Sequence, residues 1–287
     1  MKIPKISPKI LNFVLIIAVI DGIVLTQLFY DGWKMAFARK PNVSENVMIE
    51  PHPLPANVLK KASMGLNNLI ADILWIQAIQ YYGGGDPSGK YRKLPELMDT
   101  LTDLDPKFVY PYAFGLLIMP GEGFAKEAVA LGEKGMKNPA LKTSWEIPYY
   151  LGLTEHFNLK NHTKAAEYLK IAADRPGSPE ITKLMAGIYY AKANERTTAY
   201  NLYVVVYQTS KNKYVKERAK AYLDHMQLIF AMEKIATQYK EKNGNFPTTL
   251  EQLVSGGFLK EIPADPLERG FVIDSKTGII SDAVGAK

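Results

Sequence analysis

At 287 residues, with 47% of them apolar, the chain is long enough for one or two domains with a sizeable core. It contains no cysteine, which excludes disulfides, thiol chemistry and cysteine zinc sites and leaves the compartment open. Six Lys and Arg (Lys2, Lys5, Lys9, Lys34, Arg39, Lys40) fall in residues 1–40 against two acids, Asp21 and Asp31, so the basic excess brackets an apolar segment and suits a membrane surface, not nucleic acid.

After a basic tail at residues 1–9, the run from Ile10 to Tyr30 is almost wholly apolar. As a helix it spans about 31 Å, enough to cross the hydrocarbon core. Phe29, Tyr30 and Trp33 at its far end suit the interface. The expectation is a single-pass signal-anchor over residues 10–30, with the N-terminus cytoplasmic and the body extracytoplasmic. Lys34, Arg39 and Lys40 weigh against that orientation, and Ala36-Phe37-Ala38 offers a cleavage match for a signal peptide. A buried helix of a soluble protein is the third reading. Asp21 sits mid-span at a cost of roughly 2.5–3.5 kcal/mol, either meeting a partner helix or tolerated in an apolar anchor. Residues 31–57 read as a semi-rigid linker, proline-rich from Pro41 to Pro55.

From residue 58 to 222 the pattern is helical. Leu66, Leu69, Ile70, Ile73, Leu74, Ile76 and Ile79 fall largely on one broad face. Helix stops recur at Gly83-Gly84-Gly85, Asp105-Pro106, Asn138-Pro139 and Arg175-Pro176, and the three prolines stand 33 and 37 residues apart. A period in that range signifies stacked helix pairs.

The stretch from Trp145 to Pro176, with Leu151-Gly152, Phe157, Ala165-Ala166, Tyr168 and Ala172, resembles the tetratricopeptide repeat (TPR) family. The next unit carries Ala186-Gly187, Tyr190, Ala199 and Tyr203, and an earlier one ends at Pro106. Val109–Pro139 reads as irregular, interrupted by Pro111, Pro120 and Gly121-Glu122-Gly123. The expectation is three to four helix pairs over roughly 60–222. The resemblance implies a superhelix whose concave groove binds a protein or peptide. Tyr149, Tyr150, Tyr189, Tyr190, Tyr200, Tyr203, Tyr207 and Tyr214 either line that groove or fill the core between repeats.

Residues 223–287 are expected to hold the end of a long helix, running from about Tyr214 to Lys242, and a small α+β segment. Asn243-Gly244, Phe246 to Leu253, Gly257-Phe258-Leu259, Ile262-Pro263 and Asp265-Pro266 resemble the soluble part of type II secretion major pseudopilins and other type IV pilin-like proteins. Leu267-Glu268-Arg269-Gly270 departs from that pattern, the processing site is absent, and the family's calcium site does not carry over. Pro247 is expected to start a short helix capped by Thr248 or Thr249 and stopped at Gly256-Gly257. Strands are expected at Phe271–Ile273 and Ile279–Ser281, with Gly278 in the turn. The segment should fold back as a cap through Phe246, Leu250, Leu253 and Phe258, onto a helix face of Leu223, Met226, Ile229, Phe230, Met232, Glu233 and Ile235.

No catalytic, cofactor or metal site is legible. Gly84 to Lys90 has the spacing of a phosphate-binding loop, but a helix is expected before it and Tyr91 stands where Ser or Thr is needed. His52, His156, His162 and His225 form no metal spacing, and Asp103 with Asp105 reads as solvated charge at a helix end. The fold expected is therefore mainly α: a TPR-like superhelix, an N-terminal transmembrane helix and a pilin-like cap. The function expected is a membrane-anchored protein–protein interaction scaffold or assembly factor of a prokaryotic cell envelope, with no cofactor. Alternatives are an accessory of type IV pilus or type II secretion machinery, and an enzyme with a cryptic site.

Overall fold

The computed structural model describes Gln27, residues 51–84 and residues 91–283. The basic tail, the expected span apart from Gln27, the linker to residue 50 and the loop at 85–90 lie outside the described residues. Contacts divide the chain into Met1–Ile49 and Glu50–Lys287, and the elements below belong to the second unit. Among the described residues no helix is long and apolar enough to cross a membrane.

The unit is mainly helical. Its helices are α1 (Ala56–Ala62), α2 (Asn67–Gly83), α3 (Leu94–Leu104), α4 (Val109–Ile118), α5 (Ala125–Lys137), α6 (Glu146–Phe157), α7 (His162–Ala173), α8 (Ile181–Lys192), α9 (Arg196–Thr209), α10 (Lys213–Asn243) and α11 (Glu251–Ser255). A 3-10 turn, Pro139–Leu141, joins α5 to α6, and β1 (Phe271–Ile273) pairs antiparallel with β2 (Ile280–Asp282). From α2 to α10 each helix packs on the next, and α4 also packs on α6.

The helix pairs α4/α5, α6/α7 and α8/α9 meet in the same way. A glycine on the first helix faces a bulky side chain on the second. A Cβ on Gly115 would lie 2.5 Å from Leu131, on Gly152 2.7 Å from Leu169, and on Gly187 2.6 Å from Tyr203. Ala78 on α2, 37 residues before Gly115, is also fully buried. The four small residues are thus 37, 37 and 35 residues apart. Small residues let helix axes approach, and the facing Leu or Tyr fills the space. Pro106, Pro139 and Pro176 each follow the second helix of a pair, where the missing N–H stops helix growth. Arg175 donates to the Leu141 and Ser144 carbonyls, tying the end of α7 to the connection between α5 and α6.

Two expectations need correction here. Val109–Pro139 is not irregular but is the helix pair α4/α5. Pro111 sits in the first turn of α4, where a helix needs no N–H, and Pro120 to Gly123 form the turn between the two helices. The broad apolar face of α2 is only in part its buried one: of its residues Leu74 is buried and Ile70 half-buried. Ala71, Leu74, Ala78 and Tyr81 face the core, while Leu66, Leu69, Ile73, Ile76 and Ile79 are exposed.

Helix α10 runs unbroken through residue 222 and serves two cores. Its first half (Val215, Ala219, Tyr222, Met226) joins the cluster built by α7, α8 and α9. Its second half (Ile229, Met232, Ala236) joins Leu250, Leu253, Ile273 and Ile280, with Phe246 and Phe258 packed alongside. The residues after α10 therefore fold back on it. Phe230 is 37% exposed, outside this core, beneath the Arg196 guanidinium at 4.9 Å. Pro247 does not start a helix: it is buried, and α11 begins at Glu251 after Leu250. Neither Thr248 nor Thr249 is the cap, and the Gln252 side chain accepts the Thr248 N–H at 2.8 Å. Strand β2 is displaced by one residue from expectation, because the Asp274 and Ile279 backbones close the turn.

Replacing Gly152 by Val is expected to lower unfolding free energy by about 1–3 kcal/mol, since Leu169 and the Ala165 carbonyl bound the space. Gly83→Ala, with nothing within 4 Å, is the control and should be neutral or slightly stabilising. Urea denaturation followed by circular dichroism measures both.

Candidate functional site: a cleft beside a buried charge cluster

Tyr222, His225, Met226 and Ile229 recur at helical spacing on one face of α10. The spacing assigns His225 to the interior, and the residues after α10 supply its partners. Nδ1 lies 2.6 Å from Asp265 Oδ1 and Nε2 lies 2.9 Å from Asp282 Oδ1. The ring stacks on Phe271 at 5.2 Å. Arg269 donates to Asp282 Oδ2 at 2.8 Å and to the Tyr222 hydroxyl at 3.1 Å. Asp265 also accepts the Leu267 and Arg269 backbone N–H groups, at 2.9 and 2.8 Å, which winds the loop around it. A second tie is Glu233, whose Oε1 accepts from Arg196 Nη1 at 2.8 Å and from the Ile280 N–H at 2.9 Å.

Beside this cluster lies a cleft of about 610 Å³. Lys192, Asn194 and Arg196 around the α8–α9 connection line it together with Tyr203, Tyr222 and Met226, and with His225, Arg269 and Asp282 of the cluster itself. That volume falls in the range of small-ligand pockets. A second hollow of about 400 Å³ lies between α4 and α6, lined by Tyr110, Ala113, Trp145 and Pro176. Next to it, rings of α2 and α4 form a continuous strip: Tyr110, Phe108, Trp75, Phe114, Tyr82 and then Tyr91, each 5.0 to 6.2 Å from the next. Tyr110 is 72% exposed and the other five are half-buried.

The chemistry of the charge cluster argues against a catalytic base. Both imidazole nitrogens are engaged by carboxylates, so both donate and the ring is the imidazolium. It has no lone pair with which to take a proton. Burial opposes the charge on His225, but the hydrogen bonds and negative charge of Asp282 and Asp265 outweigh it and raise its pKa above 6.5. Burial likewise pushes the two carboxylates up. Backbone hydrogen bonds and His225 for Asp265, and His225 with Arg269 for Asp282, nonetheless hold them below 3.8.

The other histidines behave differently. His156 and His162 meet across the α6–α7 turn with their Nδ1 atoms 3.0 Å apart, so one donates and the other accepts. His156 also packs on Tyr189 at 4.1 Å. Burial first, then the positive charges of Lys192, His162 and Lys160, push its pKa down to about 4. His52 is exposed in the extended stretch before α1. Asp103 does not stand alone at its helix end: Lys134 reaches both Asp103 and Asp99 at 2.6 Å. Asp105 turns its carboxylate to the Lys107 N–H at 3.0 Å. Among the described residues no cluster has the geometry to hold a metal ion. Of the phosphate-loop spacing only Gly84 is described, and α2 precedes it where that motif needs a strand.

Of the tyrosines, Tyr189, Tyr190 and Tyr203 are core, Tyr149, Tyr150, Tyr200 and Tyr207 are half-buried, and Tyr214 is 65% exposed. The partners Asp265, Arg269 and Asp282 stand 40 to 57 residues from His225, and no local spacing announces them. No known family model matches the chain, and no curated protein matches it significantly.

The two histidine sites set opposite pH limits. A folded-state pKa raised above the unfolded value stabilises fully below about 6.5 and is lost as pH rises through the raised value, which is the case of His225. A lowered base pKa favours the folded state above about 6.5 and is lost as pH falls toward 4, which is the case of His156. Thermal melts should therefore peak near neutrality and fall on both sides. His225→Gln should flatten the alkaline limb and His156→Gln the acid limb. His225→Ala should cost about 3–5 kcal/mol, because it strands buried carboxylates.

Proposed function

We propose that the chain is a membrane-anchored, TPR-like scaffold that binds a protein or peptide partner and assembles components of a prokaryotic cell envelope. The observation that carries this reading is the repeated contact at Gly115, Gly152 and Gly187, with the buried Ala78 at the same spacing before them. One helix-pair geometry recurs at the repeat length of that family. Such stacks present the first helix of each pair on a common side. Here those helices, α2, α4, α6 and α8, carry the ring strip and the hollow beside Tyr110 and Trp145. Half-exposed amphipathic rings give contact area at small entropic cost, which suits an extended peptide. The doubly engaged imidazolium of His225 supports binding over catalysis. The apolar run at 10–30 with basic flanks supports the anchor, and the segment after α10 serves as the cap of the last pair.

Two measurements test the reading. Full-length chain should remain with membranes through high-salt and alkaline washes, because burial of the 10–30 segment and not charge holds it. Release by salt would remove the anchor. A photo-crosslinking side chain at Tyr110, in native membranes, should give discrete protein adducts that Trp75→Ala reduces severalfold. The same side chain at Lys170, on the second helix α7, should give none. Equal labelling at both positions would sink the groove reading.

The spacing at 84–90 bears on the enzyme alternative. Lys90→Ala should leave stability unchanged and reveal no magnesium-dependent ATP affinity to abolish, as measured by calorimetry.

A further inference from the structure

Helix α2 carries apolar residues on two opposite sides, and among the described residues one of those sides has no cover. Ala71, Leu74, Ala78 and Tyr81 pack inward. On the opposite side Leu66, at the cap, and Leu69, Ile73 and Ile76 are 45, 49, 49 and 55% exposed. A surface helix ordinarily turns polar residues to water, and a helix apolar all round is covered on both faces. The spacing of the four residues is three, four, three, and Gln80 follows four further on. That is the a and d seam of a two-heptad coil, set opposite Ala71 and Ala78.

We propose that this seam joins two copies of the chain, α2 against α2, antiparallel about a two-fold axis. The seam is its own complement: in reverse order Leu66 meets Ile76 and Leu69 meets Ile73, so each a position faces a d position of the other copy. A two-fold interface requires this self-matching. The charge pattern separates a second copy from a lipid surface. A helix lying on a bilayer borders its apolar face with Lys and Arg, and α2 contains neither. Its one charged residue is Asp72, exposed beside the seam. In the antiparallel pair the two Asp72 carboxylates stand near each other across the axis and weaken it. Two heptads make a small interface, so the association is reversible and concentration-dependent.

The chain has no cysteine, so each one introduced is unique. Leu69→Cys and Ile73→Cys, both at exposed positions, are made separately in full-length chain purified in mild detergent. On mild oxidation the mixture should give a disulfide between residues 69 and 73 at least about fivefold over either homodisulfide, since only the a–d′ layer brings the Cα atoms within bridging range. Asp72→Asn in both chains should raise the yield about twofold by relieving one like-charge pair. Absence of any disulfide dimer overturns the proposal, and so does dominance of 69–69 and 73–73 bridges, which would mean parallel strands. Transfer of a photoactivatable lipid label to Ile73, in place of dimer formation, would make the occupant a bilayer and would equally overturn it. None of these results depends on a partner in the groove.

Discussion

The close approach of paired helices at Gly115, Gly152 and Gly187 is the constraint on which the rest of the unit depends. Where a first helix lacks a side chain, the second helix can lay Leu131, Leu169 or Tyr203 directly on its backbone. Each contact fixes the separation of two helices and so the place at which the next can dock. Dispersion falls off steeply with distance, so the contacts tolerate no added methyl without displacing a neighbour. Between α2 and α4, Trp75 meets Phe108 and Phe114 edge to face.

Helix α10 converts that repetition into an ending. Its first half completes the core of the last pair, and its second half carries a separate apolar patch that Leu250, Leu253, Ile273 and Ile280 cover. The charge cluster lies at the junction of these two cores. Two cations, His225 and Arg269, meet two anions, Asp265 and Asp282, and every member is hydrogen-bonded. A balanced cluster of this kind adds modest net stability but penalises every arrangement that separates its members. Three of its four members come from the C-terminal segment, so other placements of that segment would break its contacts.

Local sequence rules account for much of the architecture. Pro106, Pro139 and Pro176 mark the ends of second helices because each lacks an N–H, and the long apolar spacing from Val215 to Ala236 marks α10. The β1–β2 hairpin was legible to within one residue through Gly278, whose positive φ of 75° fits the turn. Pair α4/α5 was hidden because Pro111 reads as a breaker unless it is placed in the first helical turn. The orientation of α2 was hidden because its apolar residues lie on two opposite sides, so periodicity cannot say which side faces in. The short helix α11 was misplaced because Leu250, not a Thr, precedes it. The charge cluster was illegible in a stronger sense. His225 sits at an interior spacing, but its partners come from Asp265, Arg269 and Asp282, which the fold alone brings to it. Arg269 lies where the resemblance to pseudopilins breaks down, and that departure was the one signal pointing to it.

The series of small residues does not continue past α8. Thirty-five residues beyond Gly187 the chain has Tyr222, whose ring stacks on Tyr203 at 5.2 Å and receives the Arg269 guanidinium. At that spacing α10 turns a buried phenol ring toward α9, where each earlier first helix has glycine or alanine. The glycine contact that recurs through α8 and α9 therefore has no counterpart on α10, whose second half is covered by the chain that follows it.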